Sequence, residues 1–122
     1  MAKTILLVDD DQELATIQTI VLQREGYHVV TARDGEEALE KVRACAPDLV
    51  VADLLLPKLD GWRVCQQLKG DPRFRHIPVI LLSGLLEERS GQEEAYLGDA
   101  SLPKPCTPEN LLRTIRTLLP NP

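Results

Sequence analysis

Leu49-Val50-Val51-Ala52-Asp53-Leu54-Leu55-Leu56-Pro57-Lys58-Leu59-Asp60-Gly61 decides the reading of this chain. Its opening apolar run, with two β-branched residues, predicts a strand covered on both faces, as in a parallel sheet. A carboxylate ends the run at the carboxyl edge of that strand, where open α/β sheets place their ligands. After Asp60, the residues Gly61, Val64, Cys65 and Leu68 recur at helical spacing. Strand, acid, turn and helix follow one another within a single short stretch.

The same alternation extends in both directions. Apolar runs at 4–8, 27–32, 48–52, 78–82 and 100–103 read as five strands, three of them continuous Leu/Ile/Val blocks. Leu14, Ile17 and Val21 keep helical spacing, as do Leu39, Val42 and Ala46, and then Leu111, Ile115, Leu118 and Leu119. Asp34 followed by Glu37 predicts a capping box, and Thr107 before Pro108 is a sound start for the last helix. A helix opening at Leu85-Leu86-Glu87-Glu88 is interrupted by Ser90-Gly91. Glycine costs about 1 kcal/mol against alanine there, so this helix is expected to be short and frayed. Five strands alternating with five helices imply right-handed crossovers and a doubly wound parallel sheet. The domain is expected to span 1–119, with 120–122 a tail or the start of a linker.

The bulk composition narrows the function. A chain of 122 residues with 43% hydrophobic and 27% charged residues suits one folded domain. Aromatic residues make up only 3%, so the core must be built from Leu, Val, Ile and Ala. A net charge of -5 argues against direct nucleic-acid binding. No apolar run approaches the ~18 residues that span a bilayer, and no basic-then-apolar leader precedes the first acids. Cys45, Cys65 and Cys106 have no CxxC spacing, which fits buried or semi-buried thiols in a reducing cytoplasm.

Asp9 and Asp10 end the run Ile5-Leu6-Leu7-Val8 as Asp53 ends its own. Three carboxylates gathered within ~4 Å repel by about 4 kcal/mol per pair at an effective dielectric near 20, so such a cluster calls for a cation or protons. Hard oxygen ligands at an accessible edge favour Mg²⁺ or Mn²⁺. Asp11 is better placed to cap the first helix. Ser83 ends the fourth apolar run and offers a hydroxyl at the same edge. Lys104, held between Pro103 and Pro105, supplies a point charge suited to a phosphate oxygen.

The run ILLVDDD at 5–11, VVADLLLPKLDGW at 50–62, LLSG at 81–84 and LPKP at 102–105 together resemble the receiver domain of bacterial response regulators. The resemblance covers essentially the whole chain. It implies a (βα)5 flavodoxin-like fold with strand order 2-1-3-4-5. Asp53 then corresponds to the phospho-accepting aspartate. Asp10 and Asp53 correspond to direct metal ligands, Asp9 to a ligand acting through water, and Leu55 to a backbone carbonyl ligand. Ser83 matches the hydroxyl that turns toward the phosphoryl group, and Lys104 the lysine that pairs with it. The bond Lys104–Pro105 is expected to be cis. The implied partners are a histidine kinase or phosphotransfer protein and an output protein or domain, with Mg²⁺ or Mn²⁺ as cofactor. A phosphorylation-dependent homodimer is a further expectation. No membrane contact is implied, and no enzymatic activity beyond self-phosphorylation and slow dephosphorylation.

Some positions depart from the family pattern. Ser101 stands where an aromatic is usual, the stretch 97–101 is about one residue short, Cys106 replaces Phe and Gly84 replaces Ala. These changes predict a different partner face or a looser switch. Leu55 and Leu85 cannot hydrogen-bond a hydrolytic water, which predicts a long-lived phosphoryl group. Trp62 is expected on the outer face of its helix, and His28 and His76 in surface or core roles. Two other readings remain: a Mg²⁺ phosphatase of haloacid-dehalogenase type, suggested by the DxD pattern in Asp9-Asp10-Asp11, and a degenerate receiver acting only as an interaction module.

Overall fold

Each of the five apolar runs forms a strand within a residue of its expected ends. The computed structural model describes residues 2–83, 99–104 and 106–119. Within them lie β1 Thr4–Val8, α1 Gln12–Arg24, β2 His28–Ala32, α2 Gly35–Cys45, β3 Leu49–Asp53, α3 Gly61–Lys69, β4 Val79–Ser83, β5 Ala100–Pro103 and α4 Pro108–Leu118. All strands are parallel in the order β2-β1-β3-β4-β5. The helix expected from Leu85, the Gly84 substitution and the Lys104–Pro105 bond lie outside the described residues.

Alternation along the strands divides the core in two. Leu6, Val8, Val50, Ala52, Val79 and Leu81 pack beneath α2 and α3, against Ala38, Val42, Val64, Cys65 and Leu68. Ile5, Leu7, Leu49, Val51, Ile80 and Leu82 face α1 and α4, meeting Ala15, Leu22, Leu111, Leu112 and Ile115. Every residue of β3 and β4 is buried, so these strands read as apolar runs broken only at their last residues, Asp53 and Ser83. Each fully buried Leu, Ile or Val contributes about 1.5–3 kcal/mol.

Side-chain caps start all four described helices. Asp11 accepts from the Glu13 and Leu14 amides, Asp34 from Glu37, Asp60 from Arg63 and Thr107 from Asn110. The reciprocal bond expected of Glu37 falls one residue early, on the Arg33 amide at 2.8 Å. At the opposite edge of the sheet from the acids, Lys69 Nζ donates to Ile77 O and Asp99 Oδ2, each at 2.8 Å, and to Arg75 O at 3.3 Å. Asp99 Oδ2 also accepts from Val79 N at 2.8 Å, tying the starts of β4 and β5 to the end of α3.

The helical spacing of Leu14, Ile17 and Val21 does form α1, but those residues do not mark its most buried face. Ile17 is 53% exposed and Leu14 and Val21 are half-buried, whereas Ala15, Gln18 and Leu22 are buried. The helix carries two stripes with the same spacing, one residue apart. The small Ala15 lies against the core while the more apolar stripe faces out, and hydrophobicity alone selects the wrong one. Ala46 likewise leaves the apolar face of α2, because it is the exposed C-cap with φ 44°. Cys65 is buried and Cys106 intermediate, but Cys45 is exposed, contrary to expectation. Trp62 is half-buried, with an indole Nε1 that is buried and lacks a hydrogen-bond partner; it does not lie on a fully outer face. His28 and His76 are exposed. No helix among the described residues is long and apolar enough to cross a membrane.

Candidate functional site

The carboxyl ends of β1, β3, β4 and β5 deliver the candidate residues to one edge. Asp9 follows β1, Asp53 ends β3, Ser83 ends β4 and Lys104 follows β5. Hydrogen bonds continue the sheet past the strand ends and fix them there. Asp9 N donates to Ala32 O at 3.0 Å, Leu54 N to Leu82 O at 2.8 Å, and Lys104 N to Ser83 O at 2.9 Å.

Oxygens of Asp9, Asp10 and Asp53 all lie within 4.8 Å of one another. Asp9 and Asp53 are buried, at 1% and 2% exposure, while Asp10 is exposed. Asp9 Oδ1 accepts from the Asp11 amide at 2.9 Å, which orients the carboxylate. Its other oxygen, Oδ2, is buried without a hydrogen-bond partner. Lys104 Nζ stands 3.0 Å from Asp53 Oδ1. Burial pushes the Asp53 carboxyl from its ordinary 3.8 up to about 7; Lys104 opposes the rise and the neighbouring Asp9 adds to it.

The donor set fits a hard divalent cation. A buried carboxylate oxygen with no donor, beside two further carboxylates, is satisfied by Mg²⁺ or Mn²⁺ and poorly by soft metals. Leu55 is 61% exposed and its side chain carries no donor atom, so only main-chain atoms of that residue could serve such a site. Ser83 is fully buried at the same edge. Asp11, the second acid of the DxD pattern, is committed to capping α1 through two amides at 3.1 Å. Beside Asp10 a groove of about 560 Å³ opens, lined by Arg33, Asp34 and Lys58 among others.

One residue of the site was not legible as such in the sequence. A Cβ on Gly61 would stand 2.0 Å from the carbonyl oxygen of Asp53, so only glycine lets α3 begin against the end of β3. Its amide closes the β3–α3 loop onto Leu54 O at 2.9 Å. The dipeptide Asp60-Gly61 is the only signal: a cap followed by a residue without a side chain.

The family model for the response regulator receiver domain matches residues 5–116. The chain is 40% identical, over 98% of its length, to the alkaline phosphatase synthesis transcriptional regulatory protein PhoP of Bacillus subtilis, of which it covers 49%. It thus spans about half the length of the curated transcriptional regulators it resembles. Among solved structures, the signal receiver domain of a signal transduction histidine kinase from Syntrophus aciditrophicus superposes with a TM-score of 0.90 at 35% identity, over 98% of this chain and 91% of that one. The receiver domain of a sensor histidine kinase from Pseudomonas aeruginosa superposes at 0.85 with 26% identity, over 99% of this chain and 100% of that one. In that structure a magnesium ion is coordinated in the active-site cleft. Sequence match, strand order and the acids gathered at one edge agree, and the chain belongs to the receiver domains of two-component response regulators.

Proposed function

We propose that Asp53 accepts a phosphoryl group from the phosphohistidine of a histidine kinase or phosphotransfer protein, or from a small donor such as acetyl phosphate. The observation that carries this reading is the buried Asp53 carboxylate, 3.0 Å from Lys104 and gathered with Asp9 and Asp10. A carboxylate oxygen of Asp53 attacks phosphorus in line. The bond from phosphorus to the donor's nitrogen or oxygen breaks, and the leaving group departs with its electron pair. Phosphoryl transfer asks the protein chiefly for positioning and charge neutralisation. Lys104 supplies a positive charge to a phosphoryl oxygen, and the Ser83 hydroxyl a hydrogen bond. Asp10 and Asp53 would hold the divalent cation directly, Asp9 through water and Leu55 by its carbonyl. When bound, that cation supplies charge neutralisation and favours the ionised form of Asp53.

The product adds roughly -1.5 to -2 charge at the sheet edge. Moving a two-state equilibrium from 1:99 to 99:1 takes about 5.5 kcal/mol of differential interaction. Hydrogen bonds to charged groups contribute ~1.5–3 kcal/mol each, so new contacts from Ser83, Lys104 and a backbone amide together are of the right size. The chain acts as a signalling module in the cytoplasm, switching protein contacts, with no catalysis beyond its own phosphorylation and slow dephosphorylation. Nucleic-acid contact in a longer protein would belong to another domain, since this one carries a net charge of -5.

Incubation with labelled acetyl phosphate and Mg²⁺ tests the reading. The wild-type chain takes up label that hydroxylamine releases, as an acyl phosphate must, and Asp53→Asn takes up none. Undiminished labelling of the variant would overturn the assignment. A folded wild-type chain that takes up no label would favour a degenerate receiver acting only as an interaction module.

A further inference from the structure

α2 starts directly against the loop that leaves the acceptor strand. A Cβ on Gly35 would stand 1.9 Å from the Leu59 carbonyl oxygen and 2.6 Å from Leu59 Cβ. The nearer atom is main chain, so no side-chain rotation relieves the clash. Gly35 does not have positive φ, and its conformation is open to any residue. Alanine would even favour the helix. What requires glycine here is the loop.

That loop is held on two sides. Gly61 seats α3 against the Asp53 carbonyl, and Gly35 seats α2 against Leu59. Between them, Lys58 sits at φ 67° with its Nζ 3.8 Å from Asp34 Oδ2, on the residue that caps α2. The segment 54–60 therefore has little freedom to shift without moving α2.

We propose that Gly35 is a positioning residue for the phosphoryl-accepting site: its bare Cα lets the start of α2 brace the β3–α3 loop, fixing Asp53 and the Leu55 carbonyl for the divalent cation. This rests on the reading of Asp53 as the acceptor. Gly35 acts through Leu59 and is not itself a ligand.

The test compares Gly35→Ala with Gly70→Ala, where a Cβ would meet nothing closer than 3.3 Å. Mg²⁺ affinity is measured by calorimetry, the amide shifts of 54–60 by NMR, and label uptake from acetyl phosphate at fixed Mg²⁺. For Gly35→Ala, Mg²⁺ binding weakens by roughly 10-fold, the scale of lost support around metal ligands. Label uptake slows by about 10- to 100-fold, as a misplacement near 1 Å produces. The shifts of 54–60 move, and Gly70→Ala matches the wild type throughout. A lowered melting temperature with unchanged affinity and uptake below the transition overturns the proposal. Should Gly35→Ala not fold, native-state hydrogen exchange of the wild type is read instead. Opening of the Leu59 and Gly61 amides together with those at the start of α2 supports the bracing role, and opening of 54–60 independently of α2 overturns it. A wild-type chain that neither binds Mg²⁺ nor takes label overturns the acceptor reading instead.

Discussion

Replacing Asp53 by asparagine should make the metal-free protein more stable, and increasingly so as pH rises. Asp53 is 2% exposed, and its carboxyl is raised from 3.8 to about 7, with burial the leading cause. In the unfolded chain it ionises near pH 4; in the fold it holds its proton until near neutrality. Between those values the native state binds more protons, so stability falls with rising pH and levels off above about 7. At about 1.4 kcal/mol per pH unit the ceiling is ~4 kcal/mol. Lys104, 37% exposed and 3.0 Å away, brings solvent and positive charge to one side of the pair. Screening of that kind reduces the effect to roughly 1–3 kcal/mol. Asparagine keeps the volume and removes the charge. Urea denaturation in EDTA at pH 4.5, 6 and 8 reads the difference: near zero at the lowest pH and largest at the highest. Mg²⁺ at 100 times its Kd then stabilises the wild type by about 2.7 kcal/mol, which cancels or reverses most of that difference. An asparagine variant less stable than wild type at pH 8 without metal, or a difference that ignores pH, would refute the reasoning.

The buried face of α1 is tested by paired substitutions: Ile17→Ser changes stability by less than about 0.5 kcal/mol, as an exposed site does, while Ala15→Leu costs about 1–3 kcal/mol by overpacking. Chemical denaturation distinguishes this from the reverse ranking that a buried Ile17 demands. Lys69→Met, which removes three hydrogen bonds including the Asp99 pair, lowers stability by roughly 1–3 kcal/mol and leaves Mg²⁺ affinity at the wild-type value, because it lies at the other edge of the sheet. Altered metal affinity in that variant would contradict the separation of the two edges.

The strands were legible because burial on both faces leaves no polar residue in β3 and β4 before their last, Asp53 and Ser83. The caps at Asp11, Asp34 and Thr107 were legible because their chemistry is local. The acids of the site were legible by type and place, each ending an apolar run. Close approaches were not: the needs of Gly35 and Gly61 arise from Leu59 and Asp53, which other elements bring near. The link from Lys69 to Asp99 spans 30 residues of sequence and left no periodic trace. The raised pKa of Asp53 follows from enclosure, which no residue type encodes.

The order of the strands has a consequence for folding. Ile5 pairs with Leu49, and Asp53 with Leu82, so neighbouring strands come from distant parts of the chain. Non-local parallel pairing is slow, because loop closure must precede the contacts that reward it. Asp9, Asp53, Ser83 and Lys104 each arrive on a different strand, and none can meet another until the sheet between them has closed. A nascent or partly opened chain therefore has an aspartate at position 53 but no site around it. Fraying of β5 alone, the shortest strand at four residues, withdraws Lys104 while β1 and β3 stay paired. Assembly of the site is thus a property of the closed sheet, and loss of any one of these strands dismantles it.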